Sequence, residues 1–128
     1  MQEKLDKRIV KFLNRLDRFN EVLSPKNDIE RDALIKRFEF TFDSGWKALK
    51  NFLEVVHTQL DIQSPIQAFK GAFLVSVFTQ DDVDQWTIMR NARNQTAHEY
   101  KELIAEDVAK LASEFSRSFI KLSEILKK

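Results

Sequence analysis

The 128-residue chain contains no cysteine, two glycines and two prolines. The missing thiols exclude disulfides, thiolate nucleophiles and cysteine-ligated zinc, and they suit a reducing cytoplasmic setting. So few glycines cannot build a phosphate-cradling loop, and so little glycine and proline provides poorly for tight turns and strands. Long apolar runs are missing too. The opening stretch MQEKLDKRIVKFLNRLDRF mixes charge with apolar residues throughout, so it reads as neither a signal peptide nor a membrane span. Nor is there a large excess of either charge: the net value is +1. Any nucleic-acid contact must therefore come from a local cluster rather than a global field.

What is present is helical periodicity. Leu5, Ile9, Phe12, Leu13, Leu16, Phe19 and Leu23 recur at spacings of three and four, which predicts an amphipathic helix ending at the SPKND turn. Asn27 or Asp28 can cap a second, long helix carried by Leu34, Ile35, Phe38, Phe42, Trp46, Leu49, Phe52, Leu53, Val56 and Leu60. Gly45 inside it costs roughly 1 kcal/mol against alanine, which predicts a close helix crossing there. Ser64 as N-cap and Pro65 at the first helical position start a short helix through Phe69, Phe73, Leu74 and Val77. TQDD then serves as loop and cap for a fourth helix from about Val83 to His98. Leu103 to Ala105 resume the helical pattern, and Asp107 to Lys127 form a last amphipathic helix. With short connections, the expected architecture is an all-α, antiparallel up-and-down bundle of four main helices plus one short helix. Residues 1–128 are expected to form a single domain.

The fourth helix breaks the pattern. With Val83 and Trp86 on its core seam, heptad spacing carries the seam to Arg90, Arg93 and Ala97. Asn94 and His98 lie beside it and one turn apart, so Arg90, Arg93, Asn94 and His98 share about 140° of arc. A buried guanidinium needs an answering acid or an open cleft. Glu39, bordering the apolar seam of the second helix, is the candidate acid. The same polar cluster also suits a plain helix end, where Arg, Asn and His complement the dipole and cap carbonyls. As a site, it would bind an anion through Arg90 and Arg93, with His98 as acid or base near neutrality. His57 has no metal-spaced partner and reads as a surface or packing residue. No metal site or cofactor is indicated.

The segment Arg93-Asn94-Gln95-Thr96-Ala97-His98-Glu99-Tyr100 resembles the Arg-x4-His-x-Tyr signature of HEPN domains, with Asn94 as the polar residue after the arginine. Upstream, LIKRFEFTFDSGWKALKNFLE is similar to the second helix of the nucleotidyltransferase substrate-binding branch. The resemblance extends over nearly the whole chain. It implies a four- or five-helix bundle that forms a homodimer, with two Arg–His motifs facing one cleft. It further implies a toxin–antitoxin pair, in which a metal-independent ribonuclease is controlled by a separate minimal nucleotidyltransferase. On that basis His98 activates a ribose 2′-hydroxyl, Arg93 steadies the phosphate, and Asn94 orients His98 or the substrate. Replacing His98 or Arg93 with alanine is then expected to abolish cleavage and leave the fold intact. Tyr100 would receive AMP from the partner. An alternative within the same branch is a non-catalytic subunit holding a nucleotide or acceptor substrate for the nucleotidyltransferase. A pure interaction module would need neither the cationic cleft nor His98. Against tight RNA binding stand the near-neutral charge and the acidic flanks, among them Asp81, Asp82, Asp84, Glu102, Glu106 and Asp107.

Overall fold

A computed structural model describes the backbone of residues 2–98 and 102–127, and side-chain surroundings for 2–96 and 105–127. Five helices follow in order: α1 (Gln2–Asn20), α2 (Asp28–Val56), α3 (Pro65–Leu74), α4 (Gln80–His98) and α5 (Glu102–Leu126). The described residues contain no strand.

The helix starts are set by local chemistry. The Asn27 side chain accepts from the Glu30 backbone N–H at 2.9 Å as the N-cap of α2, and the Glu30 carboxylate reaches back to accept from Asn27 Nδ2 at 3.2 Å and the Lys26 N–H at 3.3 Å. Ser64 accepts from Gln67 N–H at 3.3 Å ahead of Pro65, which occupies the first turn of α3. Thr79 and Asp82 form a reciprocal capping box, with Asp82 N–H donating to Thr79 Oγ1 at 3.2 Å and Thr79 N–H donating to Asp82 Oδ2 at 2.8 Å. Lys121 of α5 donates to the other Asp82 oxygen at 2.8 Å, so the same carboxylate ties the start of α4 to α5.

Several boundaries differ from the periodic reading: α1 ends at Asn20, short of Leu23, and α3 ends at Leu74, short of Val77. The second helix stops at Val56, because His57 leaves helical geometry and its N–H closes on Leu53 O as a C-cap. Leu60 therefore packs on the core from a turn rather than a helix. The two pieces expected near 103–105 and 107–127 are one helix, α5.

The center of the bundle is α2, which contacts each of the other four helices. Its phenylalanines meet those of α1, α3 and α5 in an aromatic lattice. Phe38 stacks on Phe115 at 5.1 Å between centroids, and Trp86 of α4 meets Phe119 edge-on at 5.5 Å. Aromatic pairs of this kind add to the burial of their large apolar surfaces. Gly45 is the close crossing expected from the sequence. A Cβ there would stand 2.9 Å from Phe12 of α1 and 3.2 Å from the Trp86 ring of α4. Without a side chain at 45, α1 and α4 both press against α2 at one level. That level lies half a turn from Asp43, so the crossing also sets where α4 meets the acidic side of α2.

Candidate functional site

Trp86 packs on α2 at Gly45, and Arg93 lies seven residues further along α4 on the same side. Two helical turns advance the chain by about 10 Å. On antiparallel helices this brings Arg93 opposite the stretch just before Gly45, where Glu39 and Asp43 project one turn apart. Arg93 Nε and Nη2 donate to Asp43 Oδ1 at 3.0 Å and Oδ2 at 2.9 Å, a bidentate fork. Its Nη1 donates to Glu39 Oε2 at 3.1 Å. The other Glu39 oxygen lies 3.4 Å from Lys36 Nζ. The Glu39 side chain is 8% exposed, against 24% for Arg93 and 37% for Asp43.

Electrostatically the four groups balance: two cations and two carboxylates. A carboxylate as buried as Glu39 is tolerated only with partners of this kind. The hydrogen bonds to Asp43 act first, and the charges of Asp43 and Glu39 add to them. They push the Arg93 pKa above its already high value, against the opposing effect of burial. Arg93 is thus a permanent cation with a fixed guanidinium plane. Three of its five N–H groups are taken by the two carboxylates, which leaves two for another acceptor.

Glu39 therefore meets Arg93, as its place beside the apolar seam suggests. Asp43 is the residue the sequence reading missed. Its signal was its position four residues after Glu39, on the same helical face, but an acid one turn from a seam usually faces solvent. Arg90 does not take the seam position expected of it. Met89 is fully buried there instead, and Arg90 is half-exposed with its guanidinium 3.2 Å from the Asn91 side-chain oxygen. An apolar residue wins a buried position over a neighboring guanidinium because only the latter loses solvation. Asn94 is exposed beside Arg93. His98 is the last residue of α4, but its side chain lies outside the described residues, as does Tyr100 entirely. His57 is the half-buried C-cap of α2. Among the described residues, no three His, Asp or Glu side chains come together as a metal site. No described helix is long and apolar enough to cross a membrane.

The Arg93 clamp changes what a substitution at 93 does. Arg93→Ala removes the main partner of a buried carboxylate. These contacts therefore set a stability cost for the substitution beside the sequence-based expectation that it leaves the fold intact.

Several solved structures share this arrangement of helices. A protein from Thermus thermophilus superposes with a TM-score of 0.84 at 26% identity, covering 91% of this chain and 99% of its own. The tri-AMPylated HEPN toxin of Shewanella oneidensis, solved with its MNT antitoxin, gives a TM-score of 0.81 at 17% identity over 99% of this chain and 98% of that one. A toxin–antitoxin structure with AMP-PNP gives 0.79 at 16% identity, over 98% of this chain and 99% of that one. The last two, at such low identity, speak for the shared HEPN fold. No curated protein sequence matches the chain. The family described as "Nucleotidyltransferase substrate binding protein like" matches residues 3–128, and on that match the chain, a HEPN-fold helical bundle, belongs to this family.

Proposed function

We propose that this chain is a HEPN-type toxin, a metal-independent endoribonuclease that works as a homodimer in the cytoplasm and is controlled by a separate minimal nucleotidyltransferase. The observation that carries the reading is the Arg93 clamp. Asp43 and Glu39 together fix the guanidinium plane five residues before His98 and leave two of its N–H groups uncommitted. Such fixation suits a group that must meet developing charge without reorganizing.

In the proposed reaction, His98 accepts the proton of a ribose 2′-hydroxyl. The 2′-oxygen attacks the adjacent phosphorus and the bond to the 5′-oxygen breaks. That oxygen leaves with a proton from an imidazolium or water, so the products are a 2′,3′-cyclic phosphate and a 5′-hydroxyl. Arg93 presents its two uncommitted N–H groups to the phosphate oxygens, and Arg90 adds a second cation nearby. Asn94 orients His98 or the ribose. AMP placed on Tyr100 by the nucleotidyltransferase adds bulk and negative charge beside the motif, and so excludes an RNA phosphate.

One observation favors a second reading, the non-catalytic subunit that holds a nucleotide for the nucleotidyltransferase. The Arg93 charge is already neutralized by its carboxylates, which weakens it as a sole phosphate clamp. The deciding experiment is cleavage of total tRNA in EDTA by wild type and His98→Ala, each confirmed unmodified by intact mass. The nuclease reading expects cleavage by wild type alone, with cyclic-phosphate ends. Intact tRNA after incubation with unmodified wild type would replace it with the binding-subunit reading.

A further inference from the structure

The net charge of +1 conceals a local excess of cations on one helix. Helix α1 carries six cations and three anions. The α1 cations are not scattered around the helix. Arg8, Lys11, Arg15 and Arg18 follow spacings of three, four and three, so they form one stripe about 15 Å long. This stripe borders a groove of about 340 Å³ between α1 and α2, lined by Arg8, Lys11, Arg15, Phe40, Asp43 and Lys47.

Three features distinguish the groove from an ordinary solvated face. First, Arg8, Lys11 and Lys47 make no ion pair or hydrogen bond with any described residue through their side chains. The only acid in the lining, Asp43, is already forked to Arg93. Second, Phe40 is 45% exposed in the midst of these cations, whereas eight of the eleven phenylalanines are buried. The Arg15 guanidinium carbon lies 4.6 Å from the Phe40 ring centroid, so the two planar groups offer a flat, cationic surface. Third, the groove is held in shape. Arg37 Nη1 donates to the Arg18 carbonyl at 2.8 Å, which fastens α1 to α2, and the single Thr41 hydroxyl proton is shared between the Arg37 carbonyl of its own helix at 2.7 Å and the Arg15 carbonyl at 3.1 Å.

A row of unpaired cations beside an exposed ring matches the two recurring needs of a single nucleic-acid strand: neutralized phosphates and a stacking platform. Because Asp43 belongs both to the groove wall and to the Arg93 clamp, the groove runs directly to the candidate site. Resting on the proposed ribonuclease reading, we propose that the α1/α2 groove is the track that binds single-stranded RNA and leads it to Arg93. A second copy of the chain is a poor occupant, since a symmetric contact through this face would oppose like charges. A mononucleotide is too short to engage cations along 15 Å or so of helix.

The test uses a fluorescein-labeled 2′-O-methyl oligouridylate, which cannot be cleaved through its 2′-oxygen, so binding is read separately from catalysis. Fluorescence anisotropy is measured across a salt series for wild type, Lys11→Glu/Arg15→Glu, Phe40→Ala and the control Lys70→Glu/Lys127→Glu, which changes net charge equally outside the groove. All four are checked for native circular dichroism. The groove double variant is expected to weaken binding at least about tenfold and to flatten the log–log salt slope by roughly 1.4, two phosphate contacts at about 0.7 each. Phe40→Ala should weaken binding about tenfold through lost stacking while leaving the slope unchanged. The control should stay within about threefold of wild type. Equal weakening by both double variants, or no binding by wild type at low salt, would overturn the track. So would competition by ATP at matched phosphate concentration, which points to a nucleotide pocket, or unchanged RNA binding with lost retention of the nucleotidyltransferase, which points to a protein-docking face. RNA binding with the expected variant pattern but no tRNA cleavage by the wild type would support the track and defeat the nuclease reading, so the two fail separately.

Discussion

Removing Arg93 leaves Glu39 with a side chain only 8% exposed and with Lys36 alone, 3.4 Å away and itself 69% exposed. Breaking a buried pair by deleting one partner costs about 3–5 kcal/mol, because the remaining charge stays desolvated. Two features of the structure reduce that figure. Asp43 is 37% exposed and regains water when its fork is lost, so its share is about 1 kcal/mol or less. Lys36 also retains part of the Glu39 compensation. Arg93→Ala should therefore destabilize by about 2–3 kcal/mol, equivalent to roughly 10 °C in Tm for a domain of this size. Glu39→Ala removes the buried charge itself and leaves the Asp43 fork intact, so it should cost about 1 kcal/mol. With both changes made, no buried carboxylate is left orphaned, and the double variant should be more stable than the sum of single effects predicts by about 1–2 kcal/mol. Urea unfolding followed by circular dichroism at neutral pH, with m-values compared across the cycle, measures these quantities. An Arg93→Ala effect below about 0.5 kcal/mol, or additivity within about 0.3 kcal/mol, would refute the clamp as a desolvated network. With Arg93 carrying this structural share, His98→Ala is the cleaner test of chemistry.

Two further outcomes follow from the packing and capping. Gly45→Ala gains about 1 kcal/mol of helix propensity, but its Cβ would stand 2.9 Å from a Phe12 ring carbon and 3.2 Å from Trp86. Overpacking against these buried rings should cost about 1–3 kcal/mol, so chemical denaturation should show net destabilization; a more stable variant would remove the close crossing. For Asp82, burial alone would raise the pKa, but hydrogen bonds from Lys121 and from Thr79 N–H and hydroxyl, with the Lys121 charge, leave it below the usual 3.8. A carboxyl depressed in the folded state contributes stability in full above its unfolded pKa and loses it as pH falls through the folded value. The stability gap between wild type and Asp82→Asn, about 1 kcal/mol at neutral pH, should hold down to about pH 5 and close below 3.8. A gap unchanged in acid, measured by urea unfolding across a pH series, would show that the carboxylate charge contributes nothing.

Much of the helical skeleton was legible because it depends on near-neighbor chemistry. The Asn27 and Ser64 caps, Pro65 in the first turn, and the three–four spacing of apolar residues each act within one or two turns. Gly45 was legible as a crossing because a helix interior gains nothing locally from glycine. The phase of α4 was not. Arg90 and Met89 are adjacent, so a seam extrapolated from Val83 and Trp86 selects between them by 100° of rotation, and only the packed bundle, which buries Met89, decides the matter. Asp43 and the α1/α2 groove were hidden for a related reason. A carboxylate one turn beyond Glu39, and cations spread through two helices, look like ordinary solvated residues until another helix is laid beside them.

Chemistry local to the chain was enough to make this protein helical, to start α2 after Asn27 and α3 after Ser64, and to place a cluster of polar residues late in α4. Those properties rest on backbone capping, on periodic burial and on motif spacing, all of them short-range along the sequence. It took the packed bundle to hold Arg93 between Asp43 and Glu39, fifty and fifty-four residues away. The same packing gathered Arg8, Lys11, Arg15 and Lys47 around one groove while the net charge stayed near zero. Charge acts through space, and its consequences depend on which side chains the packing of α1, α2 and α4 brings within a few ångströms of one another.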